Sequence, residues 1–215
     1  MNLYAKLRER QAQNQPLRIG LIGAGKFASM YLAQIPKTPG IHLVGIADLS
    51  PENAKSNLAR VGWAPAQFAA TSLDAAHKDG NTHVGDDWQA LIDHPGVDIL
   101  IEATGNPIAA VDHCLHAFSK GKHVVNVTVE ADALCGPMLA RKAQQAGVVY
   151  SLAYGDQPAL VCDLVDWARA AGFTVVSAGR GHKWLPHFCQ STPENVARAC
   201  TQARALTRMV GFCFF

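Results

Sequence analysis

The chain predicts an α/β protein built on a doubly wound parallel sheet, and three observations carry that prediction. Short apolar runs recur along it (LRIGLI, IHLVGIA, VDILIEA, HVVNV), each followed by a turn and then a helix-forming stretch. The first run passes through Gly23 and Gly25 directly into a helix, where a strand must reverse into a crossover. The connections are short, which favours right-handed strand–helix–strand units in a single sheet.

Taken in order, residues 1–16 read as a leading helix, with Leu3, Leu7 and Ala12 as its docking face and Pro16 as its stop. Arg18 to Ile22 is the first strand and Lys26 to Gln34 the first crossover helix. Gly23 permits the sharp turn, Gly25 lets backbone approach a pyrophosphate, and Ala28 stands where the third small residue of a GxGxxG/A fingerprint falls. The first-turn amides of Lys26, Phe27 and Ala28 then face the anion. Ile41 to Ala47 is the second strand, and Asp48 ends it 25 positions after Gly23. A carboxylate there accepts both hydroxyls of an adenine ribose and repels a phosphate on that ribose, so NAD is favoured over NADP. The alternative for Asp48 is a capping role before Ser50 and Pro51.

Ser50 to Arg60 carries a helix-start signature, Gly62 to Gly80 is a less regular insert, and Thr82 to Val84 is a short third strand. A helix capped by Asp86 or Asp87 runs through Trp88, Leu91 and Ile92. Val97 to Ala103 is the next strong strand. Thr104, Gly105 and Asn106 follow its end, where ligands collect in open α/β sheets, so they are expected to border the nicotinamide half of a cofactor. An ordinary turn into the helix opened by Pro107 is the alternative. Lys122 to Val127 and Val148 to Leu152 are further strands, with a helix over Ala133 to Ala146 between them. After Ala153 the texture changes to a helix over Ala159 to Ala171 and a strand over Thr174 to Ala178. The expected organisation is residues 1–150 as a dinucleotide-binding domain and 151–215 as the beginning of an α+β substrate domain.

Composition narrows the function classes. With 49% hydrophobic and 17% charged residues in 215, the chain belongs with globular proteins. A formal net charge of +2 and no basic stripe with interleaved aromatics argue against nucleic acid. No apolar run reaches membrane-spanning length and the first residues lack the apolar core of an export signal, so the expected place is the cytoplasm, away from membranes. The six cysteines include no CxxC pair, and His182, His187 and Cys189 match no common ligand spacing, so no metal is expected.

The phrases IGLIGAGKFA, VDILIEATGNP and GKHVVNVTVEAD resemble the homoserine dehydrogenase superfamily, whose cofactor domain has the Rossmann fold. Within it, NVTVEAD, YGDQP and GRGHKWLPHFCQSTP more closely resemble the branch of deoxyxylulose-phosphate-reductoisomerase-like and related sugar-acid enzymes. The resemblance runs from about Pro16 to Pro193. It implies an NAD(P)-dependent oxidoreductase moving a hydride between nicotinamide and a small hydroxy, oxo or sugar-phosphate substrate, and homo-oligomers formed through the substrate domain. It also places Lys183 at the pocket edge, to stabilise negative charge on a carbonyl oxygen, with Arg180 to hold a substrate carboxylate or phosphate. Asp156 lies near cofactor and pocket in relatives, or caps a helix. One departure concerns reaction class. Homoserine dehydrogenases carry a lysine after the strand corresponding to HVVNV, where this chain has Val129 and Glu130, which disfavours a homoserine-dehydrogenase-like activity. Glu130 either moves a proton or binds a substrate hydroxyl, or caps the helix after it. Relatives continue well beyond 215 residues, and from about Asn195 the text leaves the family pattern, so a truncated or frame-shifted product is expected. A non-catalytic dinucleotide-binding fragment or module is the alternative function.

Overall fold

The structure, a computed structural model, describes residues 2–154, 157–179 and 192. The chain divides into two compact units, Met1–Leu164 and Val165–Phe215. The first unit holds one six-stranded sheet in the order β3-β2-β1-β4-β5-β6. Its strands are β1 (Leu17–Ile22), β2 (Ile41–Ala47), β3 (His83–Gly85), β4 (Ile99–Glu102), β5 (His123–Asn126) and β6 (Tyr150–Leu152). Every pairing is parallel. That order, with the chain reversing direction across the sheet after β3, is the doubly wound Rossmann arrangement expected from the sequence.

The sheet is covered on both faces, which is why its strands are nearly continuous apolar runs. Successive strand residues point to opposite faces. Leu43 and Val44, like Leu100 and Ile101, accordingly fall into two separate buried clusters. One cluster joins Val44 and Leu100 to Leu91, Phe118, Val124 and Leu139. The other joins Leu43 and Ile101 to Leu21, Leu32, Leu58 and Trp63, whose indole donates to the Leu32 carbonyl at 2.8 Å.

The crossover helices start where the sequence supplies caps. Ser72 caps α4 (Leu73–Asp79), Asp87 caps α5 (Trp88–Asp93) and Asn106 caps α6 (Pro107–Ser119). The helices α2 (Lys26–Gln34) and α3 (Pro51–Arg60) cover the first half of the sheet. The leading helix α1 (Leu3–Ala12) buries no residue, so its expected docking face is largely open to solvent. The helix expected over Ala133 to Ala146 begins earlier, as α7 (Val129–Gln145), and is broken at Cys135 (φ −148°, ψ 24°). Pro137 explains the break: it lacks an amide hydrogen, and its ring crowds the carbonyl four residues back. The final helix of the described residues is α8 (Gln157–Ala170). The segment expected as a strand over Thr174 to Ala178 is described as irregular. Val176 there is 93% exposed, and an isolated extended segment lacks the ladder that defines a strand.

At the amino ends of the two central strands, away from the cleft described below, Arg18 in β1 meets Asp98 just before β4 through two hydrogen bonds, Nε to Oδ2 at 2.8 Å and Nη2 to Oδ1 at 2.5 Å. Hydrogen bonding from Arg18 holds the Asp98 carboxyl below its ordinary value, against the opposing effect of burial. A carboxylate depressed in the folded state stabilises the fold above its unfolded pKa and loses that contribution as pH falls through the folded one. The pair is about one-third exposed, so its contribution is on the order of 0.2–1 kcal/mol. Asp98→Asn is therefore expected to lower stability to denaturant at pH 7. The gap from the parent should close progressively in acid, below about pH 4, in parallel urea titrations.

Candidate functional site

A cleft of about 480 Å³ lies beyond the carboxyl ends of the paired strands β1 and β4. It lies where sheet order reverses, the place at which open α/β sheets bind ligands. Gly23, Gly25, Asp48, Trp88, Thr104 and Asn106 are among its lining residues. All belong to the first unit.

The turn leaving β1 is held from several sides. Gly23 adopts φ +90°, and a Cβ there would lie 2.7 Å from the Ala103 carbonyl oxygen, so the close approach of β1 to β4 requires glycine. The Ala24 amide donates to Asp48 Oδ2 at 2.7 Å, while its carbonyl accepts from Asn57 Nδ2 at 2.8 Å. The peptide between the two glycines is thus clamped by Asp48, just after β2, and by Asn57 of α3. The N-cap of α2 is Gly25, which provides no side-chain cap, and a Cβ on it would meet nothing within 4 Å. A helix opening onto a cleft in this way, with its dipole aimed outward, suits a phosphate group. Ala28 is 1% exposed where α2 packs on the sheet, as a small third residue should be.

Asp48 uses both carboxylate oxygens, Oδ2 for Ala24 and Oδ1 for the Ser50 amide at 2.8 Å. The capping alternative and the ligand-binding reading are compatible, because an ionised carboxylate offers about four acceptor positions. A second carboxylate, Asp86, lines the same end of the cleft.

Beneath the other end lies Glu102, the last residue of β4, which is fully buried. It accepts from Thr104 Oγ1 at 2.6 Å, from His113 Nδ1 at 3.2 Å, and from Thr128 Oγ1. Each hydroxyl in turn accepts a backbone amide: Thr104 takes Asn106 N–H at 3.2 Å and Thr128 takes Gly105 N–H at 3.0 Å. The network continues through Asn126, whose Oδ1 accepts the Thr128 amide and whose Nδ2 reaches Tyr150 Oη at 3.0 Å. The Tyr150 hydroxyl donates to Asp132 at 3.1 Å, and burial pushes its pKa up, keeping the phenol protonated. The Trp88 ring meets the His113 imidazole edge-on at 4.6 Å. Glu102 is sealed below the cleft, so it acts through the loops it holds.

The cofactor residues expected from the sequence therefore gather in one place: Gly23, Gly25, Asp48, Thr104 and Asn106 line the cleft. Lys26, Phe27 and Ala28 form the first turn of α2, and Gly105 spans the loop with φ +71°. Glu130 sits exposed in the first turn of α7, where a negative charge favours the helix N-terminus. Lys183, Arg180 and Asp156 lie outside the described residues, as do His182, His187 and Cys189. Among the described residues, no group of three His, Cys, Asp or Glu side chains could hold a metal. Cys114 is buried, and burial pushes its thiol up to about 12. Also among the described residues, no helix is long and apolar enough to cross a membrane. Glu102 and Thr128 lie within the phrases VDILIEATGNP and GKHVVNVTVEAD without a role read for either, and His113 and Asn57 fall in no motif. The one legible signal is a carboxylate closing an otherwise apolar strand that feeds the cleft.

Residues 20–153 match the family model of the homoserine dehydrogenase NAD-binding domain, and residues 155–213 match that of the oxidoreductase DRL catalytic domain. The second match extends through the segment after Asn195. No curated protein matches the chain. Among solved structures, a homoserine dehydrogenase from Thiobacillus denitrificans is similar at 20% identity and TM-score 0.49, over 64% of this chain and 29% of that one. An NAD binding oxidoreductase from Klebsiella pneumoniae is similar at 22% identity and TM-score 0.48, over 73% of this chain and 39% of that one. A biliverdin reductase from Synechocystis sp. PCC 6803, solved with biliverdin and NADP+, is similar at 23% identity and TM-score 0.47, over 64% of this chain and 37% of that one. The chain thus matches between 29% and 39% of the length of these structures.

Proposed function

The chain belongs to the homoserine dehydrogenase NAD-binding domain family, and on that premise we propose that it binds NAD as the cofactor half of an oxidoreductase acting on a small hydroxy, oxo or sugar-phosphate substrate. The observation that carries the reading is the clamped Gly23–Gly25 turn, with α2 opening uncapped onto the cleft that Asp48 lines. In this reading the turn and the first amides of α2 hold the pyrophosphate, and Asp48 accepts the adenine ribose hydroxyls. The second carboxylate, Asp86, makes that end unfavourable for a ribose phosphate and supports NAD over NADP. Thr104 to Asn106 border the nicotinamide. When bound, the dinucleotide supplies the hydride acceptor or donor.

The substrate is taken by residues from about Ser151 onward, in the stretch matched by the oxidoreductase DRL catalytic domain. Lys183 and Arg180 fall within that stretch, as does Asp156, and we assign them charge stabilisation, substrate anion binding and a place beside the pocket. The resemblance of YGDQP and GRGHKWLPHFCQSTP to reductoisomerase-like enzymes supports such a substrate over homoserine, as do Val129 and Glu130 in place of the lysine.

Titration of the chain into NADH is expected to raise nicotinamide fluorescence saturably and to quench Trp88, which lines the cleft. A folded chain that leaves both signals unchanged overturns the reading. Incubation of the complex with a panel of carbonyl, hydroxy-acid and sugar-phosphate compounds, followed by NADH absorbance, tests the substrate class.

A further inference from the structure

The binding turn accounts for the adenosine and pyrophosphate end of the cleft and leaves the opposite end without a defined anchor. Two loops form that end, Thr104–Asn106 after β4 and Val127–Thr128 after β5. Each is joined to the other through one carboxylate. Glu102 receives the Thr104 hydroxyl from the first loop, the Thr128 hydroxyl from the second and His113 from α6. The Gly105 amide, given to Thr128 Oγ1, then ties the first loop directly to the second. A buried carboxyl group is costly unless its oxygens are hydrogen-bonded, and here both are engaged, Oε1 by Thr104 and His113 and Oε2 by Thr128.

We propose that Glu102 is the positioning residue for the nicotinamide half of the dinucleotide, locking the β4 and β5 loops into one wall. The proposal rests on the dinucleotide reading above. In a doubly wound sheet the two mononucleotide halves of the ligand lie over the two halves of the sheet. Asp48 and Asp86 lie on the β1–β3 half, so the nicotinamide lies over β4 and β5, against the two loops Glu102 connects. Glutamine cannot replace the carboxylate in this role. Its amide nitrogen is a donor, so one of the two threonine hydroxyls loses its acceptor and must turn its proton away. Thr128 would then no longer hold its present geometry beneath the Gly105 amide.

The test compares NADH with ADP-ribose, which carries everything but the nicotinamide, on the full chain. Glu102→Gln and Thr128→Val are each expected to weaken NADH about tenfold, as expected for the loss of one charge-assisted hydrogen bond, while ADP-ribose stays within about twofold. Thr128→Ser keeps the hydroxyl and should restore NADH affinity, and this pair carries the test even if Glu102→Gln fails to fold. If both ligands weaken equally, or neither does, Glu102 is a structural residue only and the proposal is overturned. If the parent chain binds neither ligand, the dinucleotide reading itself falls, which is a different result from a parent that binds both and variants that do not discriminate.

Discussion

Gly23→Ala will lose measurable NADH binding and melt about 4–20 °C below the parent, whereas Gly25→Ala will lose NADH binding at nearly unchanged stability. The two glycines stand two residues apart in one turn, yet the structure assigns them separate duties. At Gly23 the backbone has φ +90°, where a Cβ would also meet the Ala103 carbonyl at 2.7 Å. The conformational cost for a side chain in the left-handed region is about 1–2 kcal/mol, and an overpacked contact adds about 1–3 kcal/mol. For a chain of this size each kcal/mol moves the melting point by about 2–4 °C. Because the obstructing atom is backbone, relief requires β1 and β4 to separate, which moves Ala24 away from both of its clamps.

Gly25 differs in each respect. It has φ −74° and ψ −156°, extended backbone that any residue adopts, and a Cβ there would meet nothing within 4 Å. Alanine is a poorer helix N-cap than glycine, a change within about 1 kcal/mol. The methyl would instead stand in the cleft, where a pyrophosphate must come close to backbone. Circular dichroism melts and NADH titrations on the two variants separate the roles. Equal melting losses in both would show that the turn tolerates no side chain anywhere, and the specific claim for Gly25 would fail.

The contrast shows which kinds of information the linear text contains. The alternation of strands and helices, the turn glycines and the cap at Asp86 or Asp87 are local: each is written within a few residues of where it acts, and each is legible. The clamps on that turn and the network beneath the cleft are not local. Ala24 meets Asp48 across 24 positions and Asn57 across 33, and Glu102 meets Thr128 across 26. Asp48 stands out in the sequence because it closes a strand at a characteristic distance from the glycines, but its bond to the Ala24 amide does not. Asn57 does not stand out either, because an asparagine in mid-helix has no pattern that distinguishes a turn clamp from a solvated face. The start of α7 falls four residues before the expected Ala133, because Glu130 reads as a carboxylate capping the helix that follows, whereas the structure places Glu130 and Asp132 inside its first turn.

Asp48→Ala tests cofactor choice most directly, and its result has to be read as a ratio. The substitution removes the acceptor for Ala24 and Ser50 amides as well as the proposed acceptor for the ribose, so some loss of stability and of affinity for any dinucleotide is expected. That shared loss cancels when NAD and NADP are measured on the same variant. For NAD, removal of hydrogen bonds from ribose hydroxyls to a charged acceptor is expected to weaken binding by about 10–100-fold. For NADP the same change also removes repulsion between a carboxylate and the ribose phosphate, so its affinity should fall less or rise. The preference for NAD should therefore drop by about tenfold or more, with Asp86 left as the remaining carboxylate at that end of the cleft. Paired calorimetric titrations at fixed ionic strength supply the comparison. An unchanged ratio would mean that Asp48 organises the turn without reading the ribose, and the discrimination between the two cofactors would have to lie elsewhere.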